Sequence, residues 1–114
     1  MQALLTQIKQ LGLSNVSLLA LVSSTSYQVI FYALVDGKIY QSNELAESGK
    51  IDILQLDEFY QSVASIIRQS KEFKDDKLNI VQVSETDMVT VRYEPLDCHV
   101  YALKKAWIAS LNLS

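Results

Sequence analysis

The chain has 114 residues, a length typical of one domain, so we expect residues 1–114 to form a single domain. With 49% apolar and 20% charged residues, the chain is able to bury a core without a disulfide or a metal. The net charge of −3 argues against nucleic-acid and anionic-membrane partners, because both attract basic patches. No apolar run approaches the roughly 20 residues that span a bilayer, and the N-terminus lacks a signal-peptide pattern. The single cysteine, Cys98, predicts a cytoplasmic protein.

The first part of the chain predicts one helix followed by three strands. Residues 3–11 place Leu and Ile at helical spacing. Strand-like runs follow at 16–23 and 27–35. In the second run, the residues that point to either face of the strand are apolar. This pattern indicates a strand covered on both faces or covered by a partner. The Asp36-Gly37 pair then predicts a two-residue hairpin turn into a third strand over 38–42, because both turn positions tolerate positive φ.

Residues 43–55 predict an irregular loop with room for one turn of helix, and the second helix follows it. Its apolar stripe runs from Leu56 to Phe73, with Asp57 as the expected N-cap. Residues 78–83 and 88–93 predict a second hairpin. Asp97 is expected to cap a last helix that ends near residue 111, with a buried face of Val100, Leu103, Trp107 and Leu111.

This order, α-β-β-β-α-β-β-α, predicts an α+β fold. Short hairpins can join all neighbouring strands except across the second helix, so the expected architecture is a five-stranded, mainly antiparallel sheet. The simplest arrangement places the helices on one side of that sheet.

Catalytic and metal-binding patterns are sparse in this sequence. Asp97, Cys98 and His99 are neighbours, and neighbouring residues do not face one another on a helix, so they do not form a triad among themselves. A thiol in the first helical turn would have a lowered pKa. One Cys and one His do not have the paired spacing of zinc motifs, and no phosphate loop or dinucleotide fingerprint is present. We therefore expect a protein that is not an enzyme, with no cofactor and no metal.

Charge and tyrosine content direct attention to a protein-binding surface instead. Residues 43–58 contain five acids and one base, for a local charge of −4 within a chain of −3. Six tyrosines against three phenylalanines favour aromatic side chains with a polar end, which suit protein interfaces. An acidic surface of this kind complements a basic partner. The predicted partner-binding residues are Tyr40, Glu44, Glu47, Asp52, Asp57 and Glu58.

Several features between residues 27 and 107 form one pattern. They are a strand Val29-Ile30-Phe31-Tyr32, then Tyr40, a helix opening Leu56-Asp57-Glu58-Phe59-Tyr60, the segment Glu72-Phe73-Lys74, a strand Val89-Thr90-Val91-Arg92-Tyr93, and Trp107. The pattern resembles the YezG-like family of bacterial antitoxin or immunity proteins. The resemblance implies an immunity protein of the contact-dependent-inhibition type. Such a protein neutralises a cognate toxin, often a nuclease, by direct occlusion, and the resemblance supplies no catalytic residues.

The element order is also similar to that of the type III secretion chaperones, which are small and acidic. This second resemblance implies a homodimer that binds a secreted effector as an extended segment. It rests on the order of elements alone, and fold is weak support for function. A monomer with a basic, neighbour-encoded partner would favour the immunity interpretation. A homodimer that buries a helix face would favour the chaperone interpretation, so the oligomeric state is left open.

Overall fold

The computed structural model describes residues 1–111. Residues 112–114, which the predicted domain includes, lie outside the described residues. The elements follow the predicted order with one additional short helix. In chain order they are α1 (Gln2–Lys9), β1 (Ser14–Val22), β2 (Tyr27–Val35), β3 (Lys38–Gln41), α2 (Ser42–Glu47), α3 (Ile53–Arg68), β4 (Leu78–Val83), β5 (Val89–Glu94) and α4 (Val100–Ser110).

The five strands form one antiparallel sheet in the order β3-β2-β1-β4-β5, which confirms the predicted α+β fold. β1 lies at the centre, so β3 and β5 are the two edges. The Asp36-Gly37 hairpin is also confirmed. Asp36 has φ 53° and Gly37 has φ 76°, the left-handed values that a tight hairpin turn requires at both positions.

Two separate apolar cores lie on opposite faces of the sheet. Alternate residues of β1, namely Leu18, Ala20 and Val22, pack with α1, α2 and α3. The residues between them, Leu19 and Leu21, pack with Trp107 of α4. Because successive side chains of a strand point to opposite faces, α4 covers the face opposite the other three helices. The prediction of helices on one side is therefore wrong, and the doubly apolar pattern of β2 reflects cover on both faces.

The segment predicted as a loop, residues 43–55, contains α2 and the start of α3. Asp57 is not an N-cap, because α3 begins four residues earlier and is capped by Asp52. The predicted stripe also extends too far. The helix ends at Arg68, and Phe73 reaches the core from the segment that follows. Asp97 does not cap α4 either, since the N-cap position is His99 and makes no side-chain cap bond.

None of the described helices is both long enough and apolar enough to cross a membrane.

Candidate functional site

A groove between α2 and α3 lies in the region predicted to bind a partner. We call it the α2–α3 groove, and it has a volume of about 360 Å³. Its lining residues come from both helices: Asn43, Ala46, Glu47, Ile53, Leu56, Asp57 and Tyr60. Ile53, Asp57 and Tyr60 are four and three residues apart, so they share one face of α3 and point along the groove together.

Two helix caps hold the walls of this groove in place. At the start of α2, Glu44 Oε1 accepts a hydrogen bond from the Gln41 N–H at 2.9 Å, which completes a capping box. At the start of α3, Asp52 Oδ1 accepts from the Leu54 N–H at 3.1 Å. Two of the six predicted binding residues, Glu44 and Asp52, therefore have structural roles, although both side chains remain exposed.

Two exposed apolar side chains begin α3, and one of them, Ile53, lines the groove. Ile53 is 56% exposed and Leu54 is 67% exposed, at the first two positions of α3. Glu47 and Asp57 line the same groove, and both are exposed. The arrangement is an apolar patch bordered by two carboxylates. An exposed apolar patch with a polar rim is typical of a protein-binding surface.

Tyr40 lies beside this region and is half-buried. Its ring lies under two ammonium groups, with Lys38 Nζ at 5.4 Å and Lys50 Nζ at 5.5 Å from the ring centroid. Lys50 also approaches Asp36, with Nζ and Oδ2 3.8 Å apart. Lys50 is already counted in the local charge of −4, and the charges of Lys38 and Asp36, outside that stretch, offset each other, so the local charge stays near −4.

Glu58 lies apart from the groove. It faces α1, where it lines a smaller depression of about 190 Å³ with Gln7 and Leu11. Its neighbour Asp57 points into the α2–α3 groove, because adjacent residues of a helix are about 100° apart. Of the six predicted residues, the structure thus brings only Glu47 and Asp57 together. Whether any of the six binds a partner stays a prediction.

Tyr60 forms part of the floor of the α2–α3 groove. Burial raises the pKa of its phenol above the ordinary value of 10.0; a hydrogen bond with Ser42 lowers the pKa, and the charge of Asp57 raises it. The side chain is therefore a neutral hydrogen-bonding group at any physiological pH. It gives the groove an aromatic surface with one polar end, which suits an interface.

A second groove, of about 500 Å³, opens where α4 leaves part of the sheet uncovered. Tyr32 and Trp107 meet in it with ring centroids 5.9 Å apart, and Ile39 and Met88 form its rim. Burial raises the pKa of Tyr32, and the charge of Glu44 raises it further. The sequence analysis missed this groove, because it depends on α4 lying on the opposite face.

Cys98 and His99 do not form a reactive pair. Cys98 lies before α4 rather than in its first turn, and burial, followed by the charge of Glu94, raises its pKa. The condition for a lowered thiol pKa, a place in the first helical turn, is therefore not met. Within residues 1–111, no group of three or more His, Cys, Asp and Glu side chains comes together that could hold a metal ion.

Fold and site together describe a small α+β protein with helices on both faces of an antiparallel sheet and an apolar groove bordered by carboxylates. Comparison with protein-family models, curated proteins and solved structures finds no match to this chain. The resemblance to the YezG-like family accordingly stays a prediction.

Proposed function

We propose that this protein is an immunity-type protein that binds a toxin and neutralises it by occlusion, and that the toxin docks on the α2–α3 groove. The observation that carries the proposal is the 56% exposure of Ile53 in the lining of a groove with a carboxylate border, next to Leu54, which is 67% exposed just outside that lining. Such a surface suits a partner with an apolar residue surrounded by basic side chains.

The apolar patch would supply most of the affinity. Two adjacent branched side chains, 56% and 67% exposed, would contribute on the order of 1–2 kcal/mol each if the partner buried them fully. They also project from the first turn of a helix whose N-cap holds its backbone, so little ordering is needed on binding. A rigid apolar centre of this kind is typical of binding hot spots.

The carboxylates would supply orientation and association rate. Glu47 and Asp57 are exposed, so both carboxylates remain hydrated in the free protein. Charges at the border of an interface chiefly steer encounter and make it depend on salt. We therefore expect Ile53 and Leu54 to contribute most of the binding free energy. Glu47 and Asp57 are expected to determine how strongly the association rate depends on salt.

The test is co-expression with the product of the adjacent gene, which carries an affinity tag. The proposal expects a stable one-to-one complex and a neighbour that is toxic alone but harmless with this protein. Purified components then allow association rates to be measured at low and high salt. Glu47→Lys together with Asp57→Lys should slow association about tenfold or more at low salt, with a smaller effect at high salt.

The matched control reverses two carboxylates elsewhere. Asp76 lies in the loop before β4 and Glu85 in the β4–β5 turn, and both are exposed. Asp76→Lys with Glu85→Lys makes the same change in net charge, and should alter association much less. If both pairs slowed association equally, only the total charge would matter and the groove would not be the docking surface. If the neighbour were harmless and did not bind, the immunity function itself would be wrong.

A further inference from the structure

β5 leaves one edge of the sheet open, and it differs from the edge at β3. β3 has four residues and begins with Lys38, which are both features that discourage pairing. β5 has six residues, with no Lys, no Pro and no bulge between Val89 and Glu94, and among residues 1–111 its only strand neighbour is β4. Its backbone therefore presents a regular row of hydrogen-bonding groups at the surface.

The direction of these backbone groups follows from the hairpin. The Ser84 N–H donates to the Met88 carbonyl at 2.9 Å, so this pair is of the hydrogen-bonded type. Pairs of this type alternate along an antiparallel ladder, which turns the backbone groups of Thr90 and Arg92 toward β4. The N–H and C=O groups of Val89, Val91 and Tyr93 then point outward. Nothing within residues 1–111 forms a hydrogen bond with them.

We propose that β5 pairs with β5 of a second copy of this chain, antiparallel and about a two-fold axis at Val91. In this register Val91 lies opposite Val91 of the second copy, and Val89 lies opposite Tyr93. All three outward residues of each copy then form hydrogen-bonded pairs, six bonds in total. Two five-stranded sheets would join into one continuous sheet.

The side chains fit the same register. Val89 and Val91 are half-buried against the core beneath α1–α3, and Tyr93 is half-buried at the next alternate position, so their pairing would extend an apolar surface across the axis. Met88 and Leu96, which are 66% and 56% exposed, stand at the two ends of β5. Antiparallel pairing brings Met88 of one copy to the end where Leu96 of the other lies. In this register Met88 lies opposite Glu94 of the second copy, two residues before its Leu96, and the two-fold axis repeats this arrangement at the other end of the paired strands.

Charge does not oppose this arrangement. On the other face Thr90 lies opposite Arg92 of the second copy, and the two Arg92 side chains are diagonal neighbours. Within each copy, Arg92 already pairs with Glu94, with 3.6 Å between Nη1 and Oε1. Each arginine is therefore compensated by its own chain before the two copies meet.

This inference does not rest on the proposed function. The sheet order places β5 at the edge opposite β3, and α2 packs on β2 and β3. The α2–α3 groove therefore remains open in the dimer. A toxin that binds elsewhere, or no toxin at all, would leave the β5 proposal unchanged.

The first experiment measures the mass in solution by sedimentation over a range of about 10 µM to about 1 mM. An interface built on one short strand is small, so we expect a dissociation constant on the order of 100 µM. Val91→Pro removes one outward N–H and no bond to β4, and should leave a folded monomer over the whole range. Thr90→Lys should weaken the dimer about fivefold, because it places a cation opposite Arg92, and Thr90→Glu should strengthen it by a similar factor.

The second experiment tests the register by disulfide trapping in a Cys98→Ser background. Val91→Cys places its thiol opposite itself, with Cα atoms about 5.5 Å apart, and should form a covalent dimer on oxidation. Val89→Cys is the matched control. Its Cα atoms would be about 13 Å apart in the same register, which is too far for a disulfide.

Trapping of Val91→Cys but not of Val89→Cys, with the opposite effects of Thr90→Lys and Thr90→Glu, would establish the proposed pairing. A wild-type protein that is monomeric at about 1 mM would overturn it. A dimer unaffected by the Thr90 substitutions, or one in which both cysteine variants cross-link equally, would also overturn it. A dimer that forms through a helix face would overturn the β5 pairing too, and would favour the chaperone-like interpretation.

Discussion

Asn79 is the residue whose replacement tests the described packing most directly. It is 1% exposed, yet its polar atoms are all hydrogen-bonded. Oδ1 accepts from the Lys74 N–H at 2.8 Å, and Nδ2 faces the carbonyls of Val22, Lys74 and Lys77 at 2.8–3.1 Å. One side chain thereby ties the loop before β4 to the central strand.

The cost of Asn79→Ala can be worked from these contacts. Two amide protons and one acceptor make about three effective hydrogen bonds, each worth about 1 kcal/mol net. The loop carbonyls can regain water, but Val22 is fully buried and its carbonyl would lose a partner inside the protein. We therefore expect a loss of about 3 kcal/mol, which lowers the urea midpoint by roughly 2 M in a protein of this size.

Equilibrium unfolding in urea, followed by circular dichroism, measures this loss. Asn43→Ala is the matched control, because Asn43 is exposed and makes no side-chain hydrogen bond, and it should stay within about 0.5 kcal/mol of wild type. Asn79→Asp keeps the shape but turns the donor into an acceptor facing three carbonyls, so it should be at least as unstable as Asn79→Ala at neutral pH. An Asn79→Ala protein as stable as the Asn43→Ala control would refute the reasoning.

Three further predictions concern single side chains. Asp52→Ala removes the bond to the Leu54 N–H and should lower the unfolding free energy by about 1 kcal/mol, measured in urea; no loss would mean that the cap is not formed. Burial raises the pKa of Tyr60 above 10.0. The contribution of this shift to the unfolding free energy is therefore complete below pH 10.0 and is lost as the pH rises through the pKa of the folded state. Tyr60→Phe should flatten that alkaline loss in unfolding experiments. Burial also raises the pKa of Cys98, so iodoacetamide at pH 8 should alkylate it more slowly in the folded than in the urea-unfolded protein.

Strand positions were predictable because local signals determine them. The Asp36-Gly37 pair specified both the turn and the two strands beside it. The alternation along the chain could not specify which face α4 would cover, because that choice depends on contacts between distant residues. Leu19 and Leu21 acquire a second core only when Trp107 packs on them. A sequence pattern that is apolar on both faces signals such cover but does not name the element that supplies it.

The candidate site was only partly predictable for a related reason. Charges can be counted along the sequence, but the count does not show which carboxylates accept a hydrogen bond from a backbone N–H. Glu44 and Asp52 were grouped with Glu47 and Asp57, and the structure separates them into helix caps and groove residues. The apolar pattern that predicts a helix start at Asp57 leaves Ile53 and Leu54 in the preceding loop. With Asp52 as the cap, both residues occupy the first turn of α3, where they are exposed.

The two proposed surfaces are separated by the sheet itself, and this separation gives their tests independent meaning. The α2–α3 groove lies beyond β2 and β3, whereas the open backbone of β5 lies beyond β4. A substitution at Val91 alters hydrogen bonding at one edge of the sheet. It can affect the groove only through the strands that lie between them. Loss of toxin binding in a Val91→Pro monomer would therefore mean that binding needs two copies at once. Unchanged binding would mean that each copy acts alone and that pairing at β5 serves another purpose.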